Sequence, residues 1–135
     1  MAGVGSAVKP IWYPAMRANL QGYSESLADE AYQKRVWIEH QPSEVCDNLT
    51  DVVHFFYDDT TLASDPDKCV GWFLRDTSEV AAVRALTSAM DTLFAELGTE
   101  QPDEAYLRAP GWQQVVGRAK DLGALLDRPG EPAAA

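Results

Sequence analysis

Adjacent carboxylates at Asp58 and Asp59, with His54 four residues before the first of them, are the residue types from which acid–base or metal chemistry is most readily built. They close the run Val52 to Thr60, VVHFFYDDT, in which bulky apolar residues precede the two acids. One reading is a metal-dependent hydrolase or small-ligand enzyme using His54 with Asp51, Asp58 or Asp59. Against it, neighbouring residues on an extended chain point to opposite faces, so the two aspartates cannot aim at one atom while the strand continues. They then start a turn that Thr60 and Thr61 continue, and His54, between Val52 and Phe56, reads as a hydrogen-bonded core or edge histidine.

Other chemistry is poorly supported. Cys46 and Cys69 are the two cysteines and form no CxxC pair, so they read as free thiols. His40, Cys46, His54 and Cys69 follow no zinc-site order or spacing. Asn48-Leu49-Thr50 is a formal glycosylation sequon, read as a chance match. No GxSxG, HExxH or phosphate-cradling glycine loop occurs, so no cofactor is expected and the reading leans away from an enzyme.

The charges carry more information. The 135 residues hold 21 acids against 11 bases, a formal charge of −10. Eight of those acids lie between Val36 and Asp67, a stretch without Lys or Arg. Such a balance opposes nucleic acid and favours encounter with a basic protein. The expected partner-binding residues are therefore Asp51, Tyr57, Asp58, Asp59, Asp65 and Asp67. A self-associating structural subunit, such as a homodimer, stands as a third reading.

These residues need elements to position them. Residues 1 to 10 and Asp127 to Ala135 read as flexible tails around one domain over 11–126. MAGVGSAVKP lacks the charged and apolar regions of a secretory signal, and no run reaches the ~18 to 20 apolar residues of a membrane span. A cytoplasmic protein without membrane contact is expected. Met16, Leu20, Tyr23 and Leu27 recur at helical steps after Pro14, and helix continues from Ala28 to Arg35. VWI at Val36 predicts a first strand, Asp51 to Tyr57 a central second and Val70 to Leu74 a third, with a helical turn at Pro66.

Asp76 with Glu79 forms a capping pair for a helix whose apolar stripe is Val80, Val83, Leu86, Met90, Leu93 and Leu97, ended by Gly98. Its polar back face, Glu79, Arg84, Ser88, Asp91 and Glu96, reads as solvated. Helices opened by Pro102 and Pro110 follow, the second burying Val115, Val116, Ala119, Leu122 and Leu126. The expected fold class is α+β, a small central sheet of about three strands flanked by N-terminal and C-terminal helices. Trp37 and Trp72 are expected in the core, whereas Trp12 and Tyr13 are placed over an edge.

Tyr32, Gln33, Arg35, Val36 and Trp37, then Tyr57 to Thr60, Gly71, Leu74, Glu79-Val80, and finally Tyr106, Leu107, Pro110 and Trp112, form a scattered pattern over about residues 14 to 120. In it the chain resembles an uncharacterised family of small acidic actinobacterial proteins. That resemblance implies a shared fold and no catalytic residues. A weaker likeness, in size and charge, is to immunity proteins of polymorphic toxins, which cover a basic toxin with an acidic face. It implies an immunity-like or antitoxin-like inhibitor.

Overall fold

Helices account for every regular element among the described residues, 13–43 and 47–127 of a computed structural model. Helix α1 spans Pro14–Ala28, and α2, Glu30–Tyr32, runs straight into a π-helical segment Gln33–Ile38. Helix α3, Leu49–His54, likewise continues into a π-helical segment Phe55–Asp59, and a 3₁₀ turn covers Pro66–Cys69. Helices α4 (Thr77–Leu97), α5 (Asp103–Arg108) and α6 (Trp112–Leu126) complete the chain, with α6 packed against both α1 and α4.

The expected α+β sheet does not form. Apart from one isolated bridge between Val70 and Leu74, the described residues contain no strand. Asp51 to Tyr57 is helical because Asn48 caps α3, its Oδ1 accepting from Asp51 N at 3.0 Å, and Leu49, Val52, Phe55 and Phe56 share the buried side. β-Propensity is a preference of roughly 1 kcal/mol, and burial of four large apolar side chains overrides it. VWI belongs to the π-helical segment, where Glu39 N bonds Lys34 O at 2.9 Å and Val36 and Trp37 are both buried.

The third expected strand is a tight loop. The amides of Trp72, Phe73 and Leu74 all converge on the Cys69 carbonyl at 3.0 to 3.1 Å, and Gly71 N bonds Leu74 O. Gly71 adopts φ 90°, a conformation that glycine reaches without steric cost.

The helices with clear periodicity stand as expected. Pro14 sits in the first turn of α1, and the stripe from Val80 to Leu93 on α4 is buried together with the five expected α6 positions. Gly98 ends α4 at φ 83°. Buried Gln33 links three helices: Nε2 donates to the Ser26 and Leu27 carbonyls at the end of α1, and Oε1 accepts from Trp112 Nε1 at 3.0 Å. The expected tails lie outside the described residues, except Asp127, and so do Trp12 and Cys46.

Two further placements differ from expectation. Glu79 is fully buried rather than solvated, and Trp72 is 55% exposed rather than in the core. Glu79 receives Arg17 as a fork, Nη1 to Oε1 at 2.9 Å and Nη2 to Oε2 at 2.8 Å. Arg17 Nη1 also donates to Phe73 O and Nη2 to Leu126 O, so one guanidinium joins α1, the Cys69–Leu74 loop, α4 and the end of α6. Removing one partner strands a buried charge, so Glu79→Gln is expected to cost about 3–5 kcal/mol in urea unfolding. Glu96→Gln on the exposed side of α4 should stay within about 0.5 kcal/mol.

Candidate functional site

The outer side of α1 faces the start of α2 and the end of α3. Tyr23 stacks on Phe55 with ring centroids 4.7 Å apart, which couples α1 to the π-helical end of α3. Asp47 is held by two donors, Tyr32 Oη at 2.6 Å and Trp37 Nε1 at 3.2 Å. Asp29 caps α2 by accepting from Tyr32 N. Between these elements lies a concavity of about 460 Å³ lined by Tyr23, Tyr32, Glu25, Asp29 and Asp47 together with small residues of α1. Among the described residues no lysine or arginine lines it, although the Arg35 guanidinium lies over the Tyr32 ring, 5.6 Å from its centroid.

The tyrosines register this field. Burial raises the Tyr23 pKa first, and the charges of Asp51, Asp47 and Asp59 raise it further because each opposes a phenolate. Burial and Asp47 push Tyr32 up to about 12, although Ser26 and Arg35 act the other way. Carboxylates distant in sequence thus meet here: Glu25, Asp29 and Asp47 line the concavity, and Asp47, Asp51 and Asp59 bear on Tyr23.

A second groove, of about 470 Å³, lies between the end of α3 and the Cys69–Leu74 loop. Met16, Cys69, Trp72 and Phe73 supply apolar lining, while Asp58, Asp59, Thr60, Thr61 and Lys68 supply polar groups. Cys69 is a free thiol whose pKa is raised, chiefly by burial, so it is protonated at neutral pH.

The six expected partner-binding residues are placed unequally. Asp51 is exposed in the first turn of α3, and Asp59 is exposed with no hydrogen bond or ion pair among the described residues. Tyr57 donates to Asp91 on α4; burial first, and then Asp91, raises its pKa. Asp67 pairs with Arg84 at 2.5 Å and Asp65 lies 3.9 Å from Lys68. Asp58 contacts His54 Nδ1, the i,i+4 geometry of a helix.

His54, expected as a hydrogen-bonded core or edge histidine, is hydrogen-bonded but exposed on a helix and lies outside the core. Among the described residues, no three of His, Cys, Asp and Glu are grouped to hold a metal ion. No helix among them is long and apolar enough to cross a membrane. Glu25, Asp29, Tyr23 and Tyr32 were not expected at the site. A helical wheel of α1 puts Glu25 opposite the Leu20–Leu27 stripe, but which element faces it depends on tertiary contact.

The fold and its surface define an all-helical acidic domain with two neighbouring concavities. The chain belongs to a family described as Domain of unknown function (DUF7945), which matches residues 11–132. This agrees with the resemblance to a family without an assigned activity. Neither the curated proteins nor the solved structures contain a match.

The raised tyrosines carry a sign that can be checked. A phenol with a folded pKa above its unfolded value of 10.0 keeps its contribution below that pH and loses it as pH rises toward about 12. Stability should fall across that window. Tyr32→Phe should flatten the fall, read by urea unfolding at stepped pH beside the ultraviolet titration of tyrosinate.

Proposed function

We propose that the chain is a non-enzymatic interaction module whose acidic face docks a basic protein, an immunity-like or antitoxin-like inhibitor being its most concrete form. What supports the reading is the gathering of Glu25, Asp29 and Asp47 in one concavity with no base among its described lining residues, and with Asp51 and Asp59 near enough to raise the Tyr23 pKa. A concave surface in which acids predominate focuses its field, which accelerates encounter with a partner of opposite charge and disfavours polyanions. The two tyrosines add rigid, amphipathic contact area of the kind enriched where binding energy concentrates. Asp51 and Asp59 do this work in the reading, while Asp65, Asp67 and Tyr57 orient the 57–67 segment against α4 and its own turn.

Native mass spectrometry of the protein taken from its own cells should reveal a complex with a polypeptide of high pI. With that polypeptide purified, the double reversal Glu25→Lys, Asp59→Lys should slow association roughly tenfold at low ionic strength and flatten its salt dependence. Both positions are exposed, so circular dichroism should be unchanged. A homodimer in place of the complex, or an association rate indifferent to the reversal, would overturn the reading.

A further inference from the structure

The second groove has a chemistry of its own. Its loop is tied by hydrogen bonds: three amides close on one carbonyl, and Arg17 holds Phe73 O from beneath. On that loop Trp72 is 55% exposed, and Tyr13 braces the indole at a centroid distance of 5.5 Å while its amide donates to Trp72 O at 2.8 Å. A large aromatic held in place yet left open to solvent loses little side-chain freedom when something covers it. The groove volume of about 470 Å³ falls in the range of small-molecule sites, roughly 300–1,000 Å³.

The polar groups decide what would fit. Thr60 Oγ1 is committed to Phe55 O and accepts from Leu62 N, and Thr61 Oγ1 donates to Asp65 O. Lys68 has Asp65 as a nearby counter-charge and is largely solvent-exposed. Asp58 is engaged by His54. Asp59 is left as an exposed carboxylate without a hydrogen bond or ion pair among the described residues, and it lines the same groove as the part-exposed Trp72 indole. A carboxylate and an indole face together favour one ligand charge, because both attract a cation and the indole also takes apolar surface.

We infer that this groove binds a small organic ammonium ion with an aromatic or branched apolar body, the ammonium on Asp59 and the body against Trp72, Phe73 and Met16. Lys68 opposes the ligand charge and limits affinity. The inference stands apart from docking of a basic protein, which draws on Glu25, Asp29, Asp47 and Asp51 as well and needs no apolar groove.

Phenethylammonium is the probe, with 2-phenylethanol and 3-phenylpropanoate as neutral and anionic counterparts of similar shape. Proton–nitrogen correlation spectra of the full chain follow the Trp72 indole N–H, assigned through Trp72→Phe. The ammonium should shift that resonance saturably, at a half-saturation concentration about tenfold below that of the alcohol. Asp59→Asn should bring the ammonium to the level of the alcohol, and Lys68→Gln should tighten it. An equal or tighter response to the carboxylate, an unchanged midpoint in Asp59→Asn, or a weaker one in Lys68→Gln would overturn the assignment. So would the lack of a saturable shift at Trp72 with all three probes.

Discussion

The architecture depends on one buried ion pair. Arg17 and Glu79 are each almost wholly removed from water, and desolvating two charges is repaid only when geometry is close and the remaining donors are satisfied. Both conditions hold. The guanidinium makes two parallel bonds to the carboxylate and one to each of two carbonyls, Phe73 O and Leu126 O, while Glu79 Oε1 also accepts from Arg75 N at 2.8 Å. Gln21 shares the Leu126 carbonyl. Alternative packings of α1 against α4 and α6 would strand one of these charges, so the pair selects a register that apolar contact leaves loosely defined.

That register sets the surface. With Arg17, Leu20, Ser24 and Leu27 turned inward, the opposite side of α1 presents Glu25, and the partly covered Tyr23 meets the α3 end through Phe55. The same guanidinium anchors the loop that carries Trp72, so both concavities take their shape from contacts made beneath them. Each is bordered by α1, and Asp59 belongs to the lining of one and to the field at the other.

Much of this was legible in the chain, and the failures have physical causes. α4 was readable because its apolar steps of three and four residues are uninterrupted, α6 because the same steps run from Val116 through Ala119 and Leu122 to Leu126, and the ends of both carry capping or turn residues. Val36-Trp37 and Phe55-Phe56 misled because π-helical turns let two consecutive bulky residues both be buried, which blurs the helical period and imitates a two-faced strand. The loop at Val70 to Leu74 has strand composition, yet it is too short to pair and folds on Cys69 O instead. Glu79 was identified as a capping partner, and Asp76 does accept from Glu79 N. Its burial had one available signal: Arg17 stands three residues before Leu20 on the buried stripe of α1, where an arginine requires a charged partner.

The acidic segment shows why charge counted along a chain overstates a surface field. Its members meet counter-charges from beyond its ends, Arg84 for Asp67 and Lys68 for Asp65, and donors of its own such as His54 for Asp58. What folding subtracts there it restores by bringing Glu25 and Asp29 alongside Asp47, so the face is assembled across the chain. Like charges gathered this way repel, and the structure tolerates it because stability resides in other residues: Arg17, Glu79, Gln33 and Trp112 bear the buried polar network. Asp59, Glu25 and Trp72 are exposed, and none of their side chains belongs to that network. Residues freed from holding the fold are the ones whose chemistry is available to a ligand.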